Sequence, residues 1–158
     1  MFIPESLKIV EALAPATDAA GRTSDYVSLK NVQRAWILVH LDQGNAATVA
    51  LTPEQATAVA GTGSKALTNN IPIWANQDCA ASDALARQTD DVDFTTSAAV
   101  KRKLIILGPI QPASLDVAGG FDCLAILTGA SDAANITSAT FLLEMRYAGV
   151  TTPSVIVD

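Results

Sequence analysis

Apolar residues that alternate with a period of two constrain the fold of this chain more than any other feature of its sequence. Residues 35–41 read AWILVHL, so both faces of a strand built here are largely apolar, and we expect this strand to lie inside a sandwich. Residues 141–147 read FLLEMRY, where Leu142, Glu144 and Arg146 fall between the other apolar positions. This second strand is predicted to have one buried face and one half-exposed face.

Other apolar segments predict further strands, and turn-forming residues separate them at spacings of about ten residues. These segments are residues 46–52, 71–75, 103–107 and 121–128, with weaker candidates at 7–13 and 26–29. Residues 42–45 predict a turn that joins residues 35–41 and 46–52 into a hairpin, and Pro53 is expected to end it. Pro72 lacks a backbone N–H, so its strand is expected at a sheet edge or to begin there.

Helical signals are few. Residues 52–61 carry a capping threonine, a proline and a terminal glycine, which are typical of a short helix, although the same residues could form a polar edge strand. Residues 83–88 could form another helical turn. The pattern as a whole predicts an all-β fold, an antiparallel β-sandwich that could be a jelly roll, with at most one or two short helices.

The chain is predicted to form a single domain over its 158 residues, because no linker or shift in composition divides it. About residues 1–24 and about residues 151–158 are expected to be extended arms that become ordered against a partner. Within the tail, Val155, Ile156 and Val157 are apolar and β-prone, and an exposed strand of this kind normally pairs with another. These three residues are therefore the candidate assembly contacts.

The composition indicates a surface that meets other protein. Charged residues make up only 16% of the chain, the mean hydropathy is +0.29, and Ala, Thr, Ser and Gly fill most of the segments between the apolar runs. A free monomer usually carries more charge for solubility, although an ordinary alanine-rich monomer would also show this composition. The net charge of -6 argues against a nucleic-acid partner. Apolar runs too short to span a bilayer, and a start without a basic region, predict a soluble protein made in the cytoplasm, with no membrane partner.

The residues that chemistry would need are scarce, so we expect neither an enzyme nor a bound cofactor. His40 is the one histidine, and its place between two apolar residues predicts a buried, hydrogen-bonded imidazole. Cys79 and Cys123 lie far apart, outside any metal-ligand spacing, and are predicted to be buried free thiols, although a disulfide stays an alternative. One histidine and two dispersed cysteines do not assemble an ordinary zinc site.

An acidic stretch is the remaining candidate for an ion site. Asp90, Asp91 and Asp93 supply the carboxylates that calcium prefers, but the spacing, glycine and terminal glutamate of an EF-hand are missing. A solvated acidic loop is the favoured interpretation.

Six segments in chain order resemble small structural proteins encoded beside the capsid genes of tailed bacteriophages and prophages. They are residues 25–31 (DYVSLKN), 43–47 (QGNAA), 73–76 (IWAN), 113–117 (ASLDV), 120–123 (GFDC) and 128–139 (TGASDAANITSA). The resemblance implies a virion protein of the capsid decoration type, which cements the head by binding the outer surface of the major capsid protein shell. It also implies a homo-oligomer, either dimer or trimer, and brings no catalytic residues with it.

Two alternatives stay open. Another virion component, a head–tail joining or tail protein, would share the same sequence character. A glycan-binding β-sandwich would use Trp36, Trp74 or Tyr147 as stacking platforms, with Asn76 or Asp78 binding the sugar hydroxyls.

Overall fold

Two antiparallel β-sheets pack face to face in the computed structural model of this protein, which describes residues 5–147, 149 and 154–156. The strands of this part of the chain are β1 (Leu7–Thr17), β2 (Arg22–Thr23), β3 (Val27–Ser28), β4 (Val32–Gln43), β5 (Ala50–Ala56), β6 (Lys65–Ala66), β7 (Ile73–Asn76), β8 (Ala86–Arg87), β9 (Phe94–Thr95), β10 (Arg102–Ile110), β11 (Cys123–Thr128) and β12 (Asn135–Met145). Two short 3₁₀ helices, Pro112–Ser114 and Val117–Gly119, lie between β10 and β11. No helix of the described residues has the length and apolar character needed to cross a membrane.

The order of the strands is that of a jelly roll with extra strands at one edge. The large sheet has the order β1-β12-β4-β10-β7-β8, and the small sheet has β2-β11-β5-β6, with β3 also on β11 and β9 on β5. The chain passes from one sheet to the other after β1, β3, β4, β6, β8, β9, β10 and β11. The predicted antiparallel β-sandwich is therefore confirmed, and this alternation between sheets matches the jelly-roll form of it.

The core lies between the two sheets, and period-2 burial places residues in it. In β4, Ile37 and Val39 are fully buried, and in β12 Phe141 and Leu143 are fully buried. The strands predicted at 35–41, 103–107, 121–128 and 141–147 are all present. Tyr147 was predicted to lie in the strand at residues 141–147. That prediction is wrong, because β12 ends at Met145 and the Tyr147 side chain is 76% exposed.

The predicted hairpin is wrong. The strand that follows the turn after β4 is β5, which begins at Ala50 and pairs with β11 in the other sheet. Pro53 does not end this strand but lies inside it, opposite Ile126. Alternate burial of Leu51, Pro53 and Gln55 is incompatible with the short helix considered for this segment. The helical turn considered at 83–88 is also wrong, because that segment contains β8.

The segment predicted as an N-terminal arm contains two strands, β1 (Leu7–Thr17) and β2 (Arg22–Thr23). β1 pairs along β12, with register shifts between Glu11 and Leu13 and between Leu13 and Ala16. After β1, the fully buried carboxylate of Asp18 accepts hydrogen bonds from Arg22, from Thr128 Oγ1 at 2.9 Å and from Thr137 Oγ1. These bonds tie the segment to both sheets, so it is ordered by its own chain.

The predicted C-terminal arm is also packed against its own chain where the structure describes it. Ser28 N donates to Val155 O at 2.6 Å, and the Val155 side chain joins the core with 4% of its surface exposed. Residues 150–153 and 157–158 lie outside the described residues.

A lysine is buried among neutral groups at one end of the sandwich. Lys103 is 2% exposed, and its Nζ donates to Gln43 Oε1 at 2.7 Å, to Ser97 O at 2.5 Å and to Ser97 Oγ at 3.0 Å. Burial lowers the pKa of the Lys103 ammonium below its ordinary value of 10.5, because none of these acceptors carries a charge to offset the lost hydration.

The lowered pKa predicts a pH dependence of stability. Between the lowered pKa and 10.5, the unfolded chain binds a proton that the folded chain has released, so the free energy of unfolding should rise with pH across that interval. Urea unfolding of the wild-type chain and of Lys103→Met, at a series of pH values above neutrality, measures the rise. The rise in the free energy of unfolding should be absent in Lys103→Met. It should be retained in Lys30→Met, because the Lys30 side chain is 66% exposed. Equal slopes in all three proteins would contradict the assignment.

Candidate interaction surface

The large sheet carries apolar side chains on the face that points away from the core, which we call the outer face. Leu142 lies opposite Trp36 in the strand register, Leu38 lies opposite Ile106, and Ile106 lies opposite Trp74. Directly opposed residues of an antiparallel pair share one face, so these side chains form rows that run across neighbouring strands. Ile9, opposite Leu142 at the edge of the sheet, extends the outer face and is 53% exposed.

A groove of about 500 Å³ is sunk into this outer face. It is lined by Leu7, Trp36, Trp74, Leu85, Ile106, Gly108, Pro109 and Leu142. Gly108 has φ +124°, and a Cβ placed there would lie 2.8 Å from Ala35 O. Only glycine fits this close approach of β10 to β4, which leaves the groove without a side chain at that point.

Each tryptophan of the groove is covered by an arginine. The Arg34 guanidinium carbon lies 5.7 Å from the Trp36 ring centroid, and that of Arg87 lies 5.4 Å from the Trp74 ring centroid. Glu144 accepts from Arg34 Nε at 2.7 Å, and Asp90 pairs with Arg87. Because both arginines are paired with carboxylates, the groove has no excess positive charge to attract an anion. Its chemistry suits an apolar surface with polar groups around it.

The predicted assembly contacts do not come together on this surface. Val155 is buried in the core, Ile156 is 50% exposed, and Val157 lies outside the described residues. Val155 can therefore not reach a partner in this structure without leaving the core. The apolar outer face was missed as a site because both apolar sides of residues 35–41 were assigned to the interior.

The histidine and one cysteine are exposed, so both predictions of burial are wrong. His40 is exposed because it occupies an outward position of β4, opposite Leu104 and Ser138. Cys79 is exposed and Cys123 is buried, and the two cysteines are not joined in a disulfide. His40 and Cys79 line a second cavity of about 360 Å³. Nowhere in residues 5–147, 149 and 154–156 do three or more His, Cys, Asp or Glu side chains form a group that could hold a metal.

The acidic stretch is engaged in loop contacts. Asp90 pairs with Arg87, and the Asp91 carboxylate accepts from Val92 N at 2.8 Å. Asp91 N also donates to Ile71 O at 3.3 Å, which ties the loop to the start of β7.

The polar residues considered for sugar binding serve the loop after β7. Asn76 is 7% exposed and donates to Ser82 O at 2.7 Å, and its Oδ1 accepts from Asp78 N. The Lys101 ammonium, 3.1 Å from Asp78 Oδ2, lowers the pKa of that carboxyl by hydrogen bonding. The aromatic platforms Trp36 and Trp74 thus lie on the outer face, whereas the side chains proposed to bind hydroxyls hold their own loop.

The fold and this surface define a jelly-roll β-sandwich with an apolar outer sheet face. No protein-family model and no curated protein matches the sequence. Among solved structures, the chain is similar to the crystal structure of the SPBc2 prophage-derived protein YomS, with a TM-score of 0.45 and 8% sequence identity. That similarity covers 90% of this chain and 96% of the other.

The different environments of Val155 and Ile156 give a direct test of where the tail packs. Val155→Ala should lower the free energy of unfolding by about 1–3 kcal/mol, because it removes buried methyl groups and leaves a cavity. Ile156→Ala is the matched control and should change it by less than about 0.5 kcal/mol. Chemical denaturation measures both. Equal effects would show that the tail does not pack as described.

Proposed function

We propose that this chain is a bacteriophage capsid decoration protein, which binds the outer surface of the major capsid protein shell and stabilises the head. The observation that carries the proposal is the apolar outer face of the large sheet. Soluble monomers rarely expose a large contiguous apolar patch, and such a patch usually marks a contact with other protein. The six segments that resemble phage structural proteins support the choice of the capsid as that partner.

The proposed mechanism is binding alone, with no reaction centre and no cofactor. A protein that binds the assembled shell, and does not bind separated capsid subunits, raises the free energy needed to take the shell apart. Repetition of the contact over a symmetric shell, together with self-association into a dimer or trimer, adds avidity to each single contact. On this proposal the chain is made in the host cytoplasm and resides on the virion, and its partners are the major capsid protein and its own copies, not nucleic acid or membrane.

The outer face is suited to this role because its side chains are fixed. Trp36 and Trp74 project from strands that are paired on both sides, and each ring is packed under an arginine that is itself paired with a carboxylate. Little conformational entropy is then lost when the surface is covered. Tryptophan and arginine are also the residues most often found among those that dominate interface energy.

Binding to shells that lack this chain tests the proposal. Capsids of the phage that encodes the chain, prepared without it, are mixed with the purified protein and sedimented. Trp74→Ala should weaken binding at least about tenfold, because a tryptophan at the centre of an interface commonly contributes 2 kcal/mol or more. Tyr147→Ala is the matched control, since this exposed aromatic lies beyond the end of β12 and should bind like the wild type.

Three outcomes would reject parts of the proposal. Failure of the wild-type chain to bind the shells would reject the decoration role. Unchanged binding of Trp74→Ala would reject the outer face as the contact. Cryo-EM density for the chain at the neck or tail, and not on the outer capsid lattice, would identify a head–tail joining or tail protein instead.

A further inference from the structure

Four polar side chains at one end of the outer face are open to a partner. They are His40, Asp42, Arg102 and Ser138, and all four line the second cavity of about 360 Å³. The strand register makes them neighbours, because Ser138 lies opposite His40 and Arg102 lies opposite Asp42. Within the part of the chain that the structure describes, none of the four side chains forms a hydrogen bond or an ion pair.

The guanidinium of Arg102 differs in this respect from those of the other four arginines. Each of those four bonds to a carboxylate or to a backbone carbonyl: Arg22 to Asp18, Arg34 to Glu144, Arg87 to Asp90 and Arg146 to Val32. Arg102 is exposed and keeps all five of its N–H donors for groups outside the described chain. Asp42 is exposed as well, and its carboxylate keeps its capacity to accept.

The outer face therefore has two ends of different chemistry. At the groove end the side chains are apolar and the two arginines are paired with carboxylates. At the cavity end one positive and one negative side chain are open. Trp36 and Asp42 both point outward from β4 and are six residues apart, which in an extended strand is about 20 Å.

We propose that the cavity end orients this chain on its protein partner through one acidic and one basic side chain of that partner. The acidic side chain would face Arg102, and the basic side chain would face Asp42, about 20 Å from the apolar side chains that cover the groove. This inference rests on the proposed function and deepens it, since it states the chemistry of the capsid surface that the outer face fits.

The two open charges determine which kind of partner is favoured. A uniformly acidic surface, including nucleic acid, would be repelled by Asp42, and a uniformly basic surface would be repelled by Arg102. A wholly apolar surface would strip water from both charges without replacing it, which is costly. A protein surface with both charges pairs each of them, while the groove supplies apolar contact. Turning such a partner end for end would separate the charges from their partners, so one orientation is favoured.

Exchanging the two charges tests this inference against the alternative that Arg102 and Asp42 act only on each other. In the double variant Asp42→Arg with Arg102→Asp, opposite charges still lie opposite each other in the register, but each would meet a like charge on the partner. Sedimentation with shells that lack this chain should show binding at least about tenfold weaker than that of the wild type. Asp42→Arg alone and Arg102→Asp alone should also bind more weakly.

Lys30→Asp is the matched control, because it reverses a charge on a side chain that is 66% exposed and lies next to β3, in the small sheet. This variant should bind like the wild type. Urea unfolding of all the variants checks that each is folded, as expected for substitutions at exposed positions.

The outcomes separate this inference from the proposed function. If the wild type binds the shells and the double variant binds equally well, the orienting role of the cavity end is overturned and the decoration role stands. If Lys30→Asp weakens binding as much as the double variant does, the effect is one of net charge, and the inference is again overturned. If the wild type does not bind the shells, both proposals are rejected.

Discussion

The register of β4 between β12 and β10 determines both the core and the outer face. Side chains alternate along a strand, so placing Ile37 and Val39 toward the small sheet places Trp36 and Leu38 outward. The same register on β12 turns Phe141 inward and Leu142 outward. A shift of one residue would exchange the two sets. It would leave Arg34 and Asp42 facing the core, where an unpaired charge costs several kcal/mol.

The outer face is therefore both apolar and ordered, and both properties come from the same strands. It is apolar because the outward residues of neighbouring strands are apolar, and it is ordered because the inward residues of those strands form the core. The arginines reduce the water contact of the tryptophan rings while keeping their own charge paired. This arrangement reduces the apolar area that the outer face exposes to water.

Sequence periodicity was enough to predict the main strands and the sandwich, because the alternation in residues 141–147 follows from burial of one face and the apolar residues 35–41 match an inner strand. It failed where local signals compete with long-range pairing. Thr52, Pro53 and Gly61 have helical capping chemistry, yet pairing with β11 holds residues 50–56 extended. The sequence predicted β1 only as a weaker strand at residues 7–13, within an arm. The reason is that the bulges of β1 interrupt its alternation and that its partner β12 is distant in sequence.

The candidate interaction surface could have been predicted from the sequence, but its residues were assigned to the core. Residues 35–41 are apolar on both sides, and a strand in a two-layer sandwich has only one side toward the core. The second apolar side must therefore face outward, where His40 and Trp36 are found. The tail gave the opposite error: Val155 looked like an exposed contact because nothing in its sequence reveals that β3 lies close enough to bind it.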